Sequence, residues 1–115
     1  MDNKYLENEL KKINEESSVR DLQKYINDMI KVRGFEKETP KDIMILLTEE
    51  IGELAKEVRK LSGIKTDANK KDEIGASEEI ADVFIYILSM CKVLNIDLLE
   101  AFKNKEKINL KRTWK

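Results

Sequence analysis

Two stretches of the chain carry the same pattern, in which two acidic residues three positions apart interrupt a run of apolar residues. The first reads Thr-Glu-Glu-Ile-Gly-Glu-Leu and contains Glu50 and Glu53; the second reads Ser-Glu-Glu-Ile-Ala-Asp-Val and contains Glu79 and Asp82. At about 100° per residue, each stretch places its apolar residues on one arc of a helix. The first acid then lies at the edge of that arc and the second about 60° outside it. The two stretches therefore predict two matching amphipathic helices, and any fold of this sequence must bury the apolar arc of each.

The rest of the composition favours a fold built only from helices. One proline and four glycines punctuate 115 residues, and alternating β-branched runs are absent. A chain with 41% hydrophobic and 39% charged residues can bury one helical core. We therefore predict an all-α, four-helix bundle-like domain over residues 18–115, preceded by a charged arm or frayed helix over residues 1–17.

Capping residues predict where the four helices begin, and glycine and polar residues predict where they end. With their caps, they run from Ser18 to about Arg33, from Thr39 to about Leu61, from Ser77 to about Leu94, and from Asp97 onward, with Glu100 completing a capping box. The polar residues between 64 and 76 predict a mobile connection.

The predicted buried arcs lie on the second and third of these helices. They comprise Ile43, Met44, Leu47, Ile51, Leu54, Ala55, Val58 and Leu61 on the second helix, and Ile80, Val83, Phe84, Ile87, Met90, Cys91 and Leu94 on the third. The third helix is also apolar on its other side, at Ile85 and Leu88, so it is either central in the bundle or packed against another subunit, and the small size of the bundle favours the second. We therefore expect a homo-oligomer.

Charge and residue usage exclude several classes of function. A net charge of −1 offers no basic surface for nucleic acid. The absence of histidine excludes zinc sites and acid–base catalysis that depend on it, and the single cysteine, Cys91, excludes an intrachain disulfide. No signal peptide or membrane-spanning run is present. We expect a cytoplasmic protein with no nucleic-acid or membrane partner.

The two acid pairs predict a metal site. If the apolar arcs of the two helices pack together, Glu50 and Glu53 meet Glu79 and Asp82 at the edge of the interface. Four carboxylates so close would repel one another unless a cation lies among them. Mg²⁺, with Mn²⁺ as a substitute, suits such oxygen ligands and leaves positions for water and substrate phosphates. The alternative is that these acids only solvate amphipathic helices.

The last helix and Tyr86 supply candidate phosphate ligands. Lys105, Asn109 and Arg112 follow one helical stripe, and their side chains suit phosphate oxygens. The alternative is that the basic residues complement the helix dipole. Tyr86, one turn after Asp82, would lie beside the acids and donate its hydroxyl.

The combined motifs resemble the MazG-like all-α nucleoside triphosphate pyrophosphohydrolases. They are Glu-Glu-x-x-Glu at 49–53, Glu-x-x-Asp at 79–82 and Lys-x-x-x-Asn at 105–109, and the resemblance covers roughly Leu22 to Trp114. It implies a four-helix fold that forms homodimers or homotetramers, with active sites near subunit interfaces. It also implies Mg²⁺-dependent cleavage of a (deoxy)nucleoside triphosphate between the α- and β-phosphates, releasing the monophosphate and pyrophosphate.

The resemblance also implies a role for each candidate residue. The metal ligands would be Glu50, Glu53, Glu79 and Asp82, and the phosphate contacts would come from Lys105 and Asn109. Tyr86 matches a tyrosine of some relatives, and Arg112 lies in a basic segment that varies among relatives. Phe35 lies near an aromatic residue that some relatives place against the base. Without histidine, Glu53 is the predicted base that takes a proton from water. Lys105 is the second predicted catalytic residue, since it would stabilise the departing pyrophosphate. Base preference stays open.

Two alternatives to this function remain. One is a pyrophosphohydrolase of the same superfamily that acts on phosphoribosyl-ATP. The other is a non-catalytic helical oligomer or partner-binding module.

Overall fold

The structure, a computed structural model, describes residues 1–64 and 73–114, with side chains at all of these positions except 73 and 74. Five α-helices and no strands occur among them. The helices are α1 (Asn3–Lys12), α2 (Val19–Arg33), α3 (Pro40–Leu61), α4 (Glu73–Leu94) and α5 (Leu98–Asn109). The prediction of an all-α fold is confirmed, and α2 to α5 correspond to the four predicted helices. The chain divides into two compact units, Met1–Lys37 with Cys91–Lys115, and Glu38–Met90.

Side-chain caps define the start of α2 and α3 as predicted. The Ser18 hydroxyl accepts a hydrogen bond from the backbone N–H of Asp21, and the Asp21 carboxylate accepts one from the N–H of Ser18. Thr39 and Asp42 form the same reciprocal pair at α3. Each pair satisfies two N–H groups that have no partner within the helix.

The Thr39 cap supports a stability prediction. Thr39→Ala should lower the free energy of unfolding by about 1 kcal/mol, because the N–H of Asp42 loses its acceptor. Thr48→Ala is the matched control, since Thr48 lies inside α3 and its hydroxyl bonds only the carbonyl of Met44. Urea unfolding should show little change for this second variant. Equal losses in both would show that the cap contributes nothing.

The predicted starts of two helices need correction. Ser77 is not an N-cap, because α4 already begins at Glu73 and Ser77 lies inside it. Of the predicted connection, residues 73–76 are therefore helical, and residues 65–72 lie outside the described residues. At α5, Asp97 caps as predicted, but no capping box forms, since the Glu100 carboxylate accepts a hydrogen bond from Arg20 at 3.4 Å.

The first unit packs α1 and α5 onto α2. Leu6 of α1 is buried, and the Tyr5 hydroxyl donates to the Asp28 carboxylate of α2 at 2.9 Å. Gln23 of α2 connects to the turn before α5: its amide N–H donates to the carbonyl of Ile96 and its amide oxygen accepts from the N–H of Leu98. These side chains fix α1 and the start of α5 against α2.

The second unit contains α3 and the part of α4 up to Met90, which run antiparallel. Gly75 near the start of α4 contacts Glu57 late in α3. Tyr86, further along α4, lies close enough to be affected by the charges of Glu49, in the first half of α3, and of Glu38, just before α3. We call these two elements the α3–α4 hairpin. Antiparallel packing is what brings the two acidic motifs, one from each helix, to the same level.

The apolar arcs predicted to be buried are largely exposed in the single chain. Ile43 is buried, but Ile51 is 49% exposed and Ile80 is 57% exposed. Leu88, predicted to face another subunit, is only 2% exposed. We define the apolar face of the hairpin as the large apolar residues of the predicted arcs that are exposed, which are Met44, Ile51, Val58 and Leu61 on α3 and Ile80, Phe84 and Ile87 on α4. The predicted inner and outer sides of α4 were therefore wrong within the hairpin, whereas Cys91, also predicted to be buried, is 6% exposed.

Within the described part of the chain, no helix combines the length and the hydropathy that crossing a membrane requires.

Candidate metal centre

Three carboxylates of the α3–α4 hairpin converge at its middle. Glu50 comes from α3, and Glu79 and Asp82 come from successive turns of α4. One oxygen from each carboxylate lies within 4.8 Å of the other two, and all three side chains are half-buried. Residues three apart on a helix share a face, so α4 can present both of its acids to the same point on α3.

We call these three acids the acidic cluster, and its surroundings perturb Glu79 strongly. A hydrogen bond with the Glu50 carboxyl, then burial, then the charges of Glu50, Asp82 and Glu53 raise the pKa of Glu79 from 4.5 to about 7. One oxygen of Glu79, Oε2, is buried and has no hydrogen-bond partner within the described chain. Near neutral pH the folded chain therefore holds a proton between carboxyls that would otherwise repel.

The acidic cluster fits a divalent cation. Its donors are carboxylate oxygens, the ligands that hard ions such as Mg²⁺ prefer, and a buried acceptor without a partner needs such a ligand. A cation would also offset the repulsion that raises the pKa of Glu79. The side chains that would hold it are Glu50, Glu79 and Asp82.

The raised pKa of Glu79 predicts a pH-dependent effect on stability without metal. Below about pH 4.5 the carboxyl is protonated in both the folded and the unfolded chain, so it costs nothing. Between about pH 4.5 and about pH 7 the unfolded chain ionises at this carboxyl while the folded chain keeps its proton, so stability falls and then levels off above about pH 7. Glu79→Gln should therefore raise the melting temperature in chelator more at pH 8 than at pH 5. An increase of the same size at both pH values would contradict the prediction.

Glu53, the fourth predicted ligand, is not part of the three-oxygen cluster. Its side chain is exposed, although its charge contributes to the raised pKa of Glu79. Tyr86 is half-buried, and its pKa is raised first by burial and then by the charge of Glu50. The hairpin thus places Tyr86 beside the acids, and the substrate role of either residue stays a prediction.

The other predicted substrate ligands belong to the first unit. Lys105 is exposed on α5, and Asn109 is half-buried, with a buried Oδ1 that has no hydrogen-bond partner among the described residues. Arg112 does not continue the helical stripe, because α5 ends at Asn109; its guanidinium instead lies 4.7 Å from the ring centroid of Trp114. Phe35 follows the end of α2 and is 45% exposed. Their contacts with substrate stay predictions.

Sequence reasoning missed a buried ion pair on the same side of α3. The ammonium of Lys60 lies 2.9 Å from the Glu57 carboxylate, and the two side chains are only 7% and 13% exposed. The signal was the spacing of four charged residues, Glu50, Glu53, Glu57 and Lys60, at intervals of three and four. We call these residues the polar stripe of α3.

Comparison with known proteins agrees with this geometry. Residues 38–113, which include the whole α3–α4 hairpin, match the family model of the MazG nucleotide pyrophosphohydrolase domain. The uncharacterized protein YpjD of Bacillus subtilis is 40% identical to the chain over 63 residues. Those residues are 55% of this chain and 57% of the Bacillus protein, so the chain spans little more than half the length of that relative. The matched family is one of hydrolases that act on nucleotide phosphoanhydride bonds. Because the family model covers well over half of the sequence, the chain belongs to the MazG nucleotide pyrophosphohydrolase family.

Proposed function

We propose that the protein cleaves (deoxy)nucleoside triphosphates between the α- and β-phosphates in a Mg²⁺-dependent reaction, giving the monophosphate and pyrophosphate. The observation that carries this proposal is the convergence of Glu50, Glu79 and Asp82 within 4.8 Å. It occurs inside the segment that matches the nucleotide pyrophosphohydrolase family. Phosphoryl transfer depends mainly on positioning and on neutralising charge, and an acidic cluster that holds a cation serves both.

The residues of the chain would divide this work. Glu50, Glu79 and Asp82, with Glu53 beside them, would hold Mg²⁺ or Mn²⁺. The bound ion would supply neutralisation of the phosphate charge and a more acidic water. Glu53, the most exposed of the acids, would take the proton of the attacking water.

The substrate would be bound by donors outside the acidic cluster. Lys105 would stabilise the charge on the departing pyrophosphate. Donors to the phosphate oxygens would be Tyr86, Asn109 and Arg112, and Phe35 would pack against the base. The orphaned oxygen of Asn109 supports its assignment, because a buried polar atom without a partner is normally satisfied by something.

We also propose that the protein works as a homodimer or homotetramer. The apolar face of the hairpin supports this, since a contiguous set of apolar side chains seldom stays open to water. Ile51 and Val58 on α3 and Ile80 on α4 are each about half exposed or more. A second copy could cover this face and leave the acidic cluster open to substrate.

A screen of triphosphates tests the proposed reaction. The protein would be incubated with the eight common nucleoside triphosphates and phosphoribosyl-ATP, with Mg²⁺ or with chelator, and pyrophosphate would be measured. We expect release from at least one nucleoside triphosphate, none in chelator, and partial recovery with Mn²⁺. Turnover confined to phosphoribosyl-ATP would support the related hydrolase instead. No release from any compound would contradict enzymatic function.

A further inference from the structure

The Glu57–Lys60 pair of the polar stripe differs from the other ion pairs in the described chain. Lys12 and Glu9 on α1 have the same spacing and the same N–O distance of 2.9 Å, but Lys12 is 71% exposed. Lys60 is 7% exposed and Glu57 is 13% exposed. Burying a charged pair is costly unless its remaining hydrogen-bonding capacity is satisfied. A purely structural pair would be expected to satisfy it.

The remaining hydrogen-bonding capacity of the Glu57 carboxylate is not satisfied within the described residues. Lys60 donates to Oε1, whereas Oε2 is buried and has no hydrogen-bond partner within the described residues. Gly75 of α4 makes this arrangement possible: a Cβ at that position would lie 2.7 Å from Oε2 and 2.9 Å from the carboxyl carbon. The hairpin thus keeps a glycine where any side chain would push the carboxylate aside.

The position of the pair relates it to the acidic cluster. Glu57 follows Glu50 by seven residues, which is two helical turns, so it lies about 10 Å further along the same stripe. That separation is comparable to the length of a nucleoside. A nucleotide whose phosphates lie at the acidic cluster could therefore extend its base along α3 to the pair.

The charge of the pair argues against a second phosphate site. Lys60 and Glu57 neutralise each other, and the carboxylate would repel a phosphate placed beside the ammonium. What the pair offers is an acceptor at Glu57 Oε2 next to a donor at Lys60 Nζ. That combination suits a neutral group with an N–H beside a carbonyl or ring nitrogen, as on the edge of a nucleobase.

We propose that the Glu57–Lys60 pair, seated against Gly75, reads the base of the nucleotide, with Glu57 Oε2 accepting a base N–H and Lys60 Nζ donating to the neighbouring base acceptor. This inference rests on the proposed function. Because Oε2 is covered in the free chain, the base reaches it when the Glu57 side chain turns away from Gly75. The pair is a specificity device and takes no part in the chemical step.

Glu57→Gln tests the inference with little change of shape. The glutamine keeps a carbonyl oxygen for Lys60 and turns the other position from an acceptor into a donor. We expect KM for the preferred base to rise about tenfold with little change in kcat, since the contact is made equally in ground and transition states. The spread of kcat/KM across the bases should shrink.

Controls separate this inference from the proposed function. Glu9→Gln removes the exposed pair of the same spacing and should leave the base ranking unchanged. Binding of non-hydrolysable α,β-methylene triphosphates of each base would be measured in parallel. Base-dependent binding that is lost in Glu57→Gln supports the inference even if the wild-type protein hydrolyses nothing. An unchanged ranking, or an equal loss for every base, would overturn the inference while leaving the hydrolase activity standing.

Discussion

Replacing Glu79 with glutamine is expected to lower the rate of Mg²⁺-dependent pyrophosphate release by about 10³-fold. Glu79 has a pKa raised to about 7 and a buried oxygen that has no partner in the described chain. Glutamine keeps the size of the side chain but cannot supply a negative charge to a cation. Its substitution therefore removes the ligand whose environment most needs a metal.

The structure provides a close control for this experiment. Glu78→Gln changes the neighbouring acid of the same helix, which is exposed and lies outside the acidic cluster, so activity should stay within a few-fold of wild type. Initial rates would be measured across a range of Mg²⁺ concentrations. Misfolding would not account for the loss in Glu79→Gln, because this variant should be more stable than wild type in chelator at pH 8. Unchanged turnover in Glu79→Gln would end the catalytic assignment of the cluster.

Most helix positions and the members of the acidic cluster could be predicted from the sequence, because both depend on residues that lie close together in the chain. A cap depends on residues three positions apart, which is why Ser18 and Thr39 marked two helix starts correctly. Ser77 failed because the chain before it, which includes Glu73 and Ala76, also forms helix, and a serine is tolerated inside one. Glu50, Glu79 and Asp82 stood out because their spacing fixes their relative angle on each helix.

The side of each helix that packs against the other could not be predicted from the sequence. A helical wheel gives the angles between residues but does not say which side meets the partner helix. We predicted that the largest apolar arc of each helix faces inward. In the hairpin, Glu50 and Glu57 of the polar stripe face α4, and Ile51 and Val58 face away. Burial within one chain and burial between copies leave the same apolar pattern in a sequence.

The same ambiguity explains why the sequence alone could not show that Glu53 lies outside the three-oxygen cluster or that Lys60 is buried. Glu53 has a neighbour at the right spacing, but whether its oxygen reaches the cluster depends on how α3 is rotated against α4. The residue type of Lys60 predicts exposure, since lysine is rarely buried without a partner. Its partner, Glu57, lies only one turn away. Buried charged pairs become visible only when the facing helix, here with Gly75, is in place.

The second large effect concerns assembly, because the apolar face of the hairpin points outward in the single chain. Ile80→Asp should convert the proposed homo-oligomer to monomers at micromolar concentration, because it places a charge in the middle of the apolar face. Ile80 is 57% exposed in the single chain, so the substitution costs little there, whereas a carboxylate buried between two copies would be strongly unfavourable. Sedimentation velocity or light scattering would give the mass.

Ala81→Asp separates an interface effect from a general effect of added charge. Ala81 is the next residue along α4, is exposed, and points about 100° away from Ile80, outside the apolar face. This variant should keep the mass of the wild-type protein. If both variants stay assembled, the copies meet through a surface other than the apolar face. A monomeric wild-type protein would contradict the proposed homo-oligomer. About half of the surface of Ile51, Val58 and Ile80 would then stay in contact with water, an apolar surface of a kind that monomeric proteins rarely expose.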